Sequence, residues 1–332
     1  MFILGIESSC DETSAAVVEG DTRKVCSNIV ASQIEIHRLY GGVVPEIAGR
    51  AHIEAISRIV YQALDEAGIG IKDLGAVAVT AFPGLIGALL VGVNFAKSLA
   101  YANDIPLVAV NHVKAHVAAA YLADPTLEPP FLAVVVSGGH TSIYEVSSYN
   151  DFKEIGSTRD DAAGEAFDKI GRVIGMPYPG GAALDKLAYE GDASKIKFPS
   201  PAMRDSLDFS FSGLKTSALN YINTERQQGR EPSAPDIAAA YTSVISDAIT
   251  SKTEQAIRLT GHRKVVLAGG VAANSHIRRS LLAMCKNHNA TLTVPPISLC
   301  GDNAAMVALA GYHEYLDNNL SGPGLNASAT EQ

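Results

Sequence analysis

Two stretches of this chain read the same way, and that repetition limits the folds open to it. Phe2-Ile-Leu-Gly-Ile-Glu-Ser-Ser-Cys-Asp-Glu-Thr-Ser-Ala-Ala-Val-Val18 is a strand, a polar turn and a strand. Phe131-Leu-Ala-Val-Val-Val-Ser-Gly-Gly-His-Thr-Ser-Ile-Tyr-Glu-Val146 repeats the pattern. A third strand pattern follows each, at 24–32 and 152–157, and helices then alternate with short apolar strands. The first half predicts helix 45–67, strand 75–80, helix 85–102, strand 107–110 and helix 112–122. The second predicts helices 161–174 and 235–260, strand 264–268, helix 273–287, strand 291–294 and helix 302–317. Duplicated βββαβα units imply an α/β protein of two similar lobes around a cleft. The expected lobes are 1–130, completed by the C-terminal helix 302–320, and 131–301, with a hinge from Asp124-Pro125 to Pro129-Pro130. Residues 176–232, rich in Pro, Gly and Ser and carrying Lys195, Lys197, Arg204 and Lys215, read as an insertion at the cleft mouth or as a plain surface excursion. Residues 321–332 read as a flexible tail.

A chain of 332 residues that is 47% hydrophobic and 18% charged can bury cores for both lobes. From Leu74 to Ala96 no residue is charged, which raises the question of a membrane span. Pro83-Gly84 interrupts the run, so a buried strand, a tight turn and a buried helix account for it better, and no membrane is expected. Cys10, Cys26, Cys285 and Cys300 form no Cys-x-x-Cys, and the chain opens directly into a strand without a basic leader. Both point to a cytoplasmic, reducing setting. A formal net charge of −9 argues against a free-standing nucleic-acid binder.

Several short motifs carry chemistry. His112-Val-Lys-Ala-His116 sets two imidazoles one helical turn apart, a spacing that serves one metal ion and equally serves packing or capping. Val113 stands where a zinc protease of the His-Glu-x-x-His type needs its glutamate, so a metal here would not be in the arrangement that hydrolyses peptides, and a metalloprotease is a minor rival. Ser8-Ser-Cys-Asp-Glu-Thr13 puts Asp11 and Glu12 in the first hairpin turn, either as a solvated acidic turn or as proton-transfer groups. The matching turn, Ser137-Gly-Gly-His-Thr141, lets backbone amides approach a phosphate, although Gly-Gly is also an ordinary hairpin turn. In Leu267-Ala-Gly-Gly-Val-Ala-Ala-Asn274, Asn274 can cap a helix or hydrogen-bond a ribose. Asp168, Gly180, Gly181 and Asp185 would flank the cleft or decorate helix surfaces. Asp302 is a natural N-cap for the last helix; with the two histidines it would instead complete an open, catalytic metal site. Neither a P-loop nor a Gly-x-Ser-x-Gly elbow is present.

Together these motifs resemble the bacterial-type tRNA N6-adenosine threonylcarbamoyltransferase family (the TsaD family, formerly labelled O-sialoglycoprotein endopeptidases). The similarity spans nearly the whole chain and includes Gly5-Ile-Glu-Ser-Ser-Cys-Asp-Glu-Thr-Ser14, Gly42-Val-Val-Pro-Glu46, Asp160-Asp-Ala-Ala-Gly-Glu-Ala-Phe-Asp168, Tyr178-Pro-Gly-Gly181 and Phe209-Ser-Phe-Ser-Gly213, besides the motifs above. One departure is Phe82-Pro-Gly84, where the family commonly has Gly-Pro-Gly.

The resemblance implies an actin-like, sugar-kinase-like (ASKHA) two-lobed fold. It implies that Val136, Ser137, Gly138, Gly139, His140, Asp168, Gly181, Asp185 and Asn274 hold an adenylate, as ATP/ADP or threonylcarbamoyl-AMP. It implies that His112, His116 and Asp302 bind one divalent metal ion, Fe2+ or Zn2+. The implied reaction moves threonylcarbamoyl from its AMP anhydride to N6 of the adenosine beside the anticodon in tRNAs reading ANN codons. Asp11 or Glu12 would take the proton from the attacking amine. A paralogous partner subunit (TsaB-like) and an ATPase (TsaE-like) would share the tRNA contacts. The competing expectation is a small-molecule kinase or nucleotide-gated, ATPase-like switch on the same fold, which needs the phosphate turns but not the histidine pair.

Overall fold

The computed structural model describes residues 1–330. By contacts the chain divides into two compact units, 1–128 with 295–332, and 129–294.

In the first unit the strands are β1 (Phe2–Glu7), β2 (Glu12–Glu19), β3 (Lys24–Ser32), β4 (Leu74–Phe82) and β5 (Leu107–Asn111), in the order β3-β2-β1-β4-β5. The hairpins β1–β2 and β2–β3 are antiparallel, whereas β1–β4 and β4–β5 are parallel. The helices are α1 (Ile34–Arg38), α2 (Pro45–Ala67), α3 (Ile86–Asn103) and α4 (His112–Ala123).

The second unit uses β6 (Phe131–Val136), β7 (Thr141–Val146), β8 (Phe152–Ser157), β9 (Lys264–Ala268) and β10 (Thr291–Thr293), in the order β10-β9-β6-β7-β8. Read outward from the central strand, β6 pairs antiparallel with β7 and parallel with β9, as β1 pairs with β2 and β4. Helices α5 (Ala163–Val173), α6 (Gly180–Leu187), α7 (Ser212–Gln227), α8 (Ala234–Thr260) and α9 (Ser275–Asn287) complete it. The last helix, α10 (Ala304–Leu316), belongs to the first unit. The sequence repeat is therefore a repeat of sheet topology.

Strand alternation decides what faces what in the first sheet. Leu4, Ile6, Val77 and Val79 pack with Ile56, Ile59 and Val93 from α2 and α3. The intervening positions of β1 and β4 turn to the other face, against α10. There the backbones come close: a Cβ on Gly5 would collide with the Ala304 carbonyl, and one on Gly311 with the Ala78 side chain. That close approach lets α10 bury residues 304–313 on all sides. Glu7 continues the odd-numbered series, so the carboxylate ending β1 sits on the α10 side.

Two features of the C-terminal stretch bear on the sequence reading. Asp302 does not cap α10; the neighbouring Asn303 does, accepting from the Met306 amide at 3.1 Å. The segment from 321, read as a flexible tail, is tied by its backbone. Ser321 N–H donates to Leu107 O at 2.8 Å, Ser328 N–H to Ala81 O at 2.9 Å, and Lys97 Nζ to Leu325 O at 2.9 Å. Residues 331 and 332, at the end of that expected tail, lie outside the described residues.

Within 176–232, α6 and α7 form, and Phe209 and Phe211 are buried as a stacked pair, so the stretch contributes to the core of its unit. Phe82–Pro83, in the departing turn, is a cis peptide, and the Leu85 amide behind it donates to Ser9 O at 2.8 Å. Among the described residues no helix is long and apolar enough to cross a membrane.

Candidate metal centre and acidic turn

The histidine pair is placed by a helix start. Asn111 ends β5 and caps α4, its carboxamide oxygen accepting from the Val113 and Lys114 amides at 2.8 and 3.1 Å. His112 and His116 then fall on one face of the first turns, rings 4.6 Å apart and nearly perpendicular. Asp302, released from capping by Asn303, brings Oδ1 to 3.5 Å from His112 Nε2 and 3.3 Å from His116 Nε2. One donor atom from each of the three lies within 4.8 Å of the others.

Behind His112 stands Glu7, which the sequence reading did not single out. Fully buried, its carboxylate accepts from the Ser9 amide at 2.6 Å and the Thr80 hydroxyl at 2.7 Å, and its Oε2 lies 3.0 Å from His112 Nδ1. Ser9 Oγ adds a 3.1 Å contact to the same nitrogen. A carboxylate can only accept, so Nδ1 carries a proton, and Nε2, which faces Asp302, is the nitrogen left to bind a metal once its own proton is displaced. Burial acts against the His112 imidazolium, but the charges of Asp302 and Glu7 and the Glu7 hydrogen bond outweigh it and push the group up to about 9. Burial would raise Glu7; the His112 charge and hydrogen bond prevail and hold it below the ordinary carboxylate range. The signal for Glu7 was present in sequence as a charged residue continuing an apolar strand.

The donor set fits a divalent cation. His116 is 1% exposed, and neither of its nitrogens makes a hydrogen bond, although Nε2 faces Asp302. Leaving such a group unsatisfied costs about 1–3 kcal/mol, a penalty that a coordinated ion would remove. Two imidazoles and one carboxylate, with further positions open, are ligands suited to a reactive transition metal.

The acidic turn adjoins this cluster. Asp11 is buried and its carbonyl accepts from the Gln33 amide at 2.9 Å. Glu12 accepts from the Ser32 hydroxyl at 3.2 Å. Burial, reinforced by the nearby charges of Asp302 and Asp11, pushes its carboxyl up to about 10. In the absence of a cation, Glu12 therefore holds its proton at neutral pH.

The remaining predicted residues lie in the second unit. Val136 ends β6, and Ser137 to His140 form the β6–β7 turn, closed by Ser137 N–H to His140 O at 2.7 Å. Gly138 and Gly139 are exposed, with open space where a Cβ would stand. Gly269, at φ +93°, runs against the Val136 carbonyl, a backbone placement that only glycine tolerates. Asp168 accepts from the Gly180 and Gly181 amides at 2.7 and 3.3 Å, at the start of α6. Asp185 accepts from the Ser275 amide and hydroxyl at the start of α9, at 3.0–3.2 Å. Asn274 caps α9, accepting from the His276 and Ile277 amides. Of its two sequence readings the cap is thus present, and its amide N–H groups remain able to donate.

Solved structures with the same architecture define the class. HypF from T. kodakarensis aligns with TM-score 0.65 at 16% identity, over 98% of this chain and 49% of that one. ROK hexokinase from Thermus thermophilus aligns with TM-score 0.51 at 16% identity, over 96% and 100%. The fold is the actin-like, sugar-kinase-like (ASKHA) one. Sequence similarity narrows this much further. The family described as "TsaD: tRNA N6-adenosine threonylcarbamoyltransferase" matches residues 24–309. Proteins named tRNA N6-adenosine threonylcarbamoyltransferase are 49% identical in Clostridium botulinum (strain 657 / Type Ba4), over 98% of this chain and 96% of the relative, and 50% identical in Geotalea uraniireducens (strain Rf4), over 96% and 93%. The chain belongs to the TsaD family of tRNA N6-adenosine threonylcarbamoyltransferases.

Proposed function

We propose that this chain moves threonylcarbamoyl from threonylcarbamoyl-AMP to N6 of the adenosine beside the anticodon in tRNAs reading ANN codons, with a divalent metal ion, Fe2+ or Zn2+, on His112, His116 and Asp302. The observation that carries the metal reading is the buried His116 imidazole with no hydrogen bond, facing Asp302 beside a His112 whose tautomer Glu7 sets. When bound, such an ion supplies Lewis acidity toward a carbonyl or phosphoryl oxygen.

The chain's own residues supply the rest. The Ser137–His140 turn offers exposed backbone amides to a phosphate. Asp168, Gly181, Asp185 and Asn274 order the surrounding turns of the adenylate site. Asp11 or Glu12 would take the proton from the attacking amine; compensating the charge of Asp302 removes one of the causes that raise the Glu12 carboxyl, while burial, the largest, remains.

A net charge of −9 supports a division of labour in which a TsaB-like subunit and a TsaE-like ATPase share the tRNA contacts, in the cytoplasm. The test is a transfer assay with threonylcarbamoyl-AMP and tRNA in the presence of those partners. Modified adenosine should form with the parent protein, and Asp302→Asn should lose both bound metal and product. Product formation by an Asp302→Asn protein free of metal would refute the metal assignment.

A further inference from the structure

His52, on α2, is buried to 0% exposure and belongs to none of the groups described so far. Its Nε2 lies 3.0 Å from the Cys10 carbonyl and its Nδ1 2.8 Å from Thr13 Oγ1. A carbonyl only accepts, so Nε2 carries the proton. Burial holds the imidazole below its ordinary pKa, hence neutral, so Nδ1 accepts and the Thr13 hydroxyl donates. One ring thus grips the chain immediately before Asp11 and immediately after Glu12. Gln33 steadies the same turn from the end of β3: its amide donates to Asp11 O, and its side-chain oxygen lies 3.1 Å from His37 Nε2.

We propose that His52 is a positioning residue for the Asp11–Glu12 turn, setting its backbone through the paired contacts to Cys10 and Thr13. The proposal rests on the reading that this turn serves the transfer reaction. A misplacement of about 1 Å in a reacting group lowers turnover on the order of 100-fold. Glutamine is a partial replacement for His52, because its amide can still donate to Cys10 O while losing Thr13.

The experiment uses full-length, metal-loaded protein with threonylcarbamoyl-AMP, tRNA and the partner subunits. His52→Ala should lower kcat on the order of 100-fold with KM for both substrates nearly unchanged. His52→Gln should recover part of that loss. Thr13→Val should fall in the same direction, and the Thr13→Val/His52→Gln double variant should be no worse than the poorer single variant, since both changes break one contact. Metal content should stay at the parent level throughout, because His52 lies outside the ligand set. Parent-level kcat in His52→Ala, a loss confined to KM, or full multiplication of the two single losses overturns the proposal. If His52→Ala does not fold, Thr13→Val and His52→Gln decide by the same criteria. Asp11→Ala and Glu12→Gln separate the layers. If either abolishes turnover while the His52 variants do not, the positioning role fails and the turn's role stands. If both remain fully active, the turn leaves the reaction and takes the proposal with it.

Discussion

Replacing Glu7 by glutamine changes one atom and should disable the metal centre. The carboxylate accepts three hydrogen bonds: from the Ser9 amide at 2.6 Å, the Thr80 hydroxyl at 2.7 Å and His112 Nδ1 at 3.0 Å. A carboxamide has a single acceptor oxygen. If that oxygen stays on the Ser9 amide, the –NH2 group faces His112 Nδ1 and drives the imidazole proton to Nε2, where it blocks the lone pair aimed at the metal. If the amide flips, the –NH2 group opposes the Ser9 N–H, and a buried donor pair is left unsatisfied at about 1–3 kcal/mol. Loss of such a ligand-orienting partner weakens metal binding about 10–100-fold, or about 1.4–2.8 kcal/mol at 1.4 kcal/mol per tenfold. Competition with a chromophoric chelator reads this directly, with transfer rates measured at saturating metal as a second readout. An unchanged metal affinity in a folded Glu7→Gln protein would refute the tautomer argument.

Further outcomes follow from the same site, from the packing of α10 and from the net charge. In metal-free protein His112 is raised to about 9, so its contribution to stability is complete below about pH 6.5 and is lost as pH rises through about 9. Metal must displace that proton, so apparent affinity should climb as pH rises toward about 9 and then level off; affinity flat over that range contradicts the assignment. Gly311→Ala should destabilise by about 1–3 kcal/mol, because the new Cβ collides with Ala78, although glycine-to-alanine in a helix ordinarily stabilises by about 1 kcal/mol. A higher thermal midpoint for that variant would mean α10 can move off the sheet. Isolated chain should bind tRNA weakly even at low salt, and tight, salt-sensitive binding would count against shared tRNA contacts.

Much of this protein was legible in its sequence because its repeats are periodic. Strand alternation and helical periodicity located β1, β2, β6 and β7, and placed α2 and β9 at their observed bounds. What stayed hidden depended on neighbours distant in sequence. Glu7 becomes meaningful only when α4 lays His112 beside the end of β1. Asp302 and Asn303 are adjacent and both suit an N-cap, so sequence could not say which one caps and which is released to the histidines. The segment from 321 looked flexible because its composition is Gly-, Asn- and Ser-rich, yet it is held through backbone groups that composition does not encode. His52 was silent for a related reason: its partners are a hydroxyl and a carbonyl from a turn about forty residues earlier, and a histidine on an amphipathic helix has no pattern of its own.

The central claim is the identity of the product. Mass spectrometry of tRNA nucleosides from cells depleted of this protein measures it most directly. The account predicts loss of N6-threonylcarbamoyl-adenosine, restored by the parent gene and not by Asp302→Asn. Persistence of that nucleoside at parental levels after depletion would contradict it.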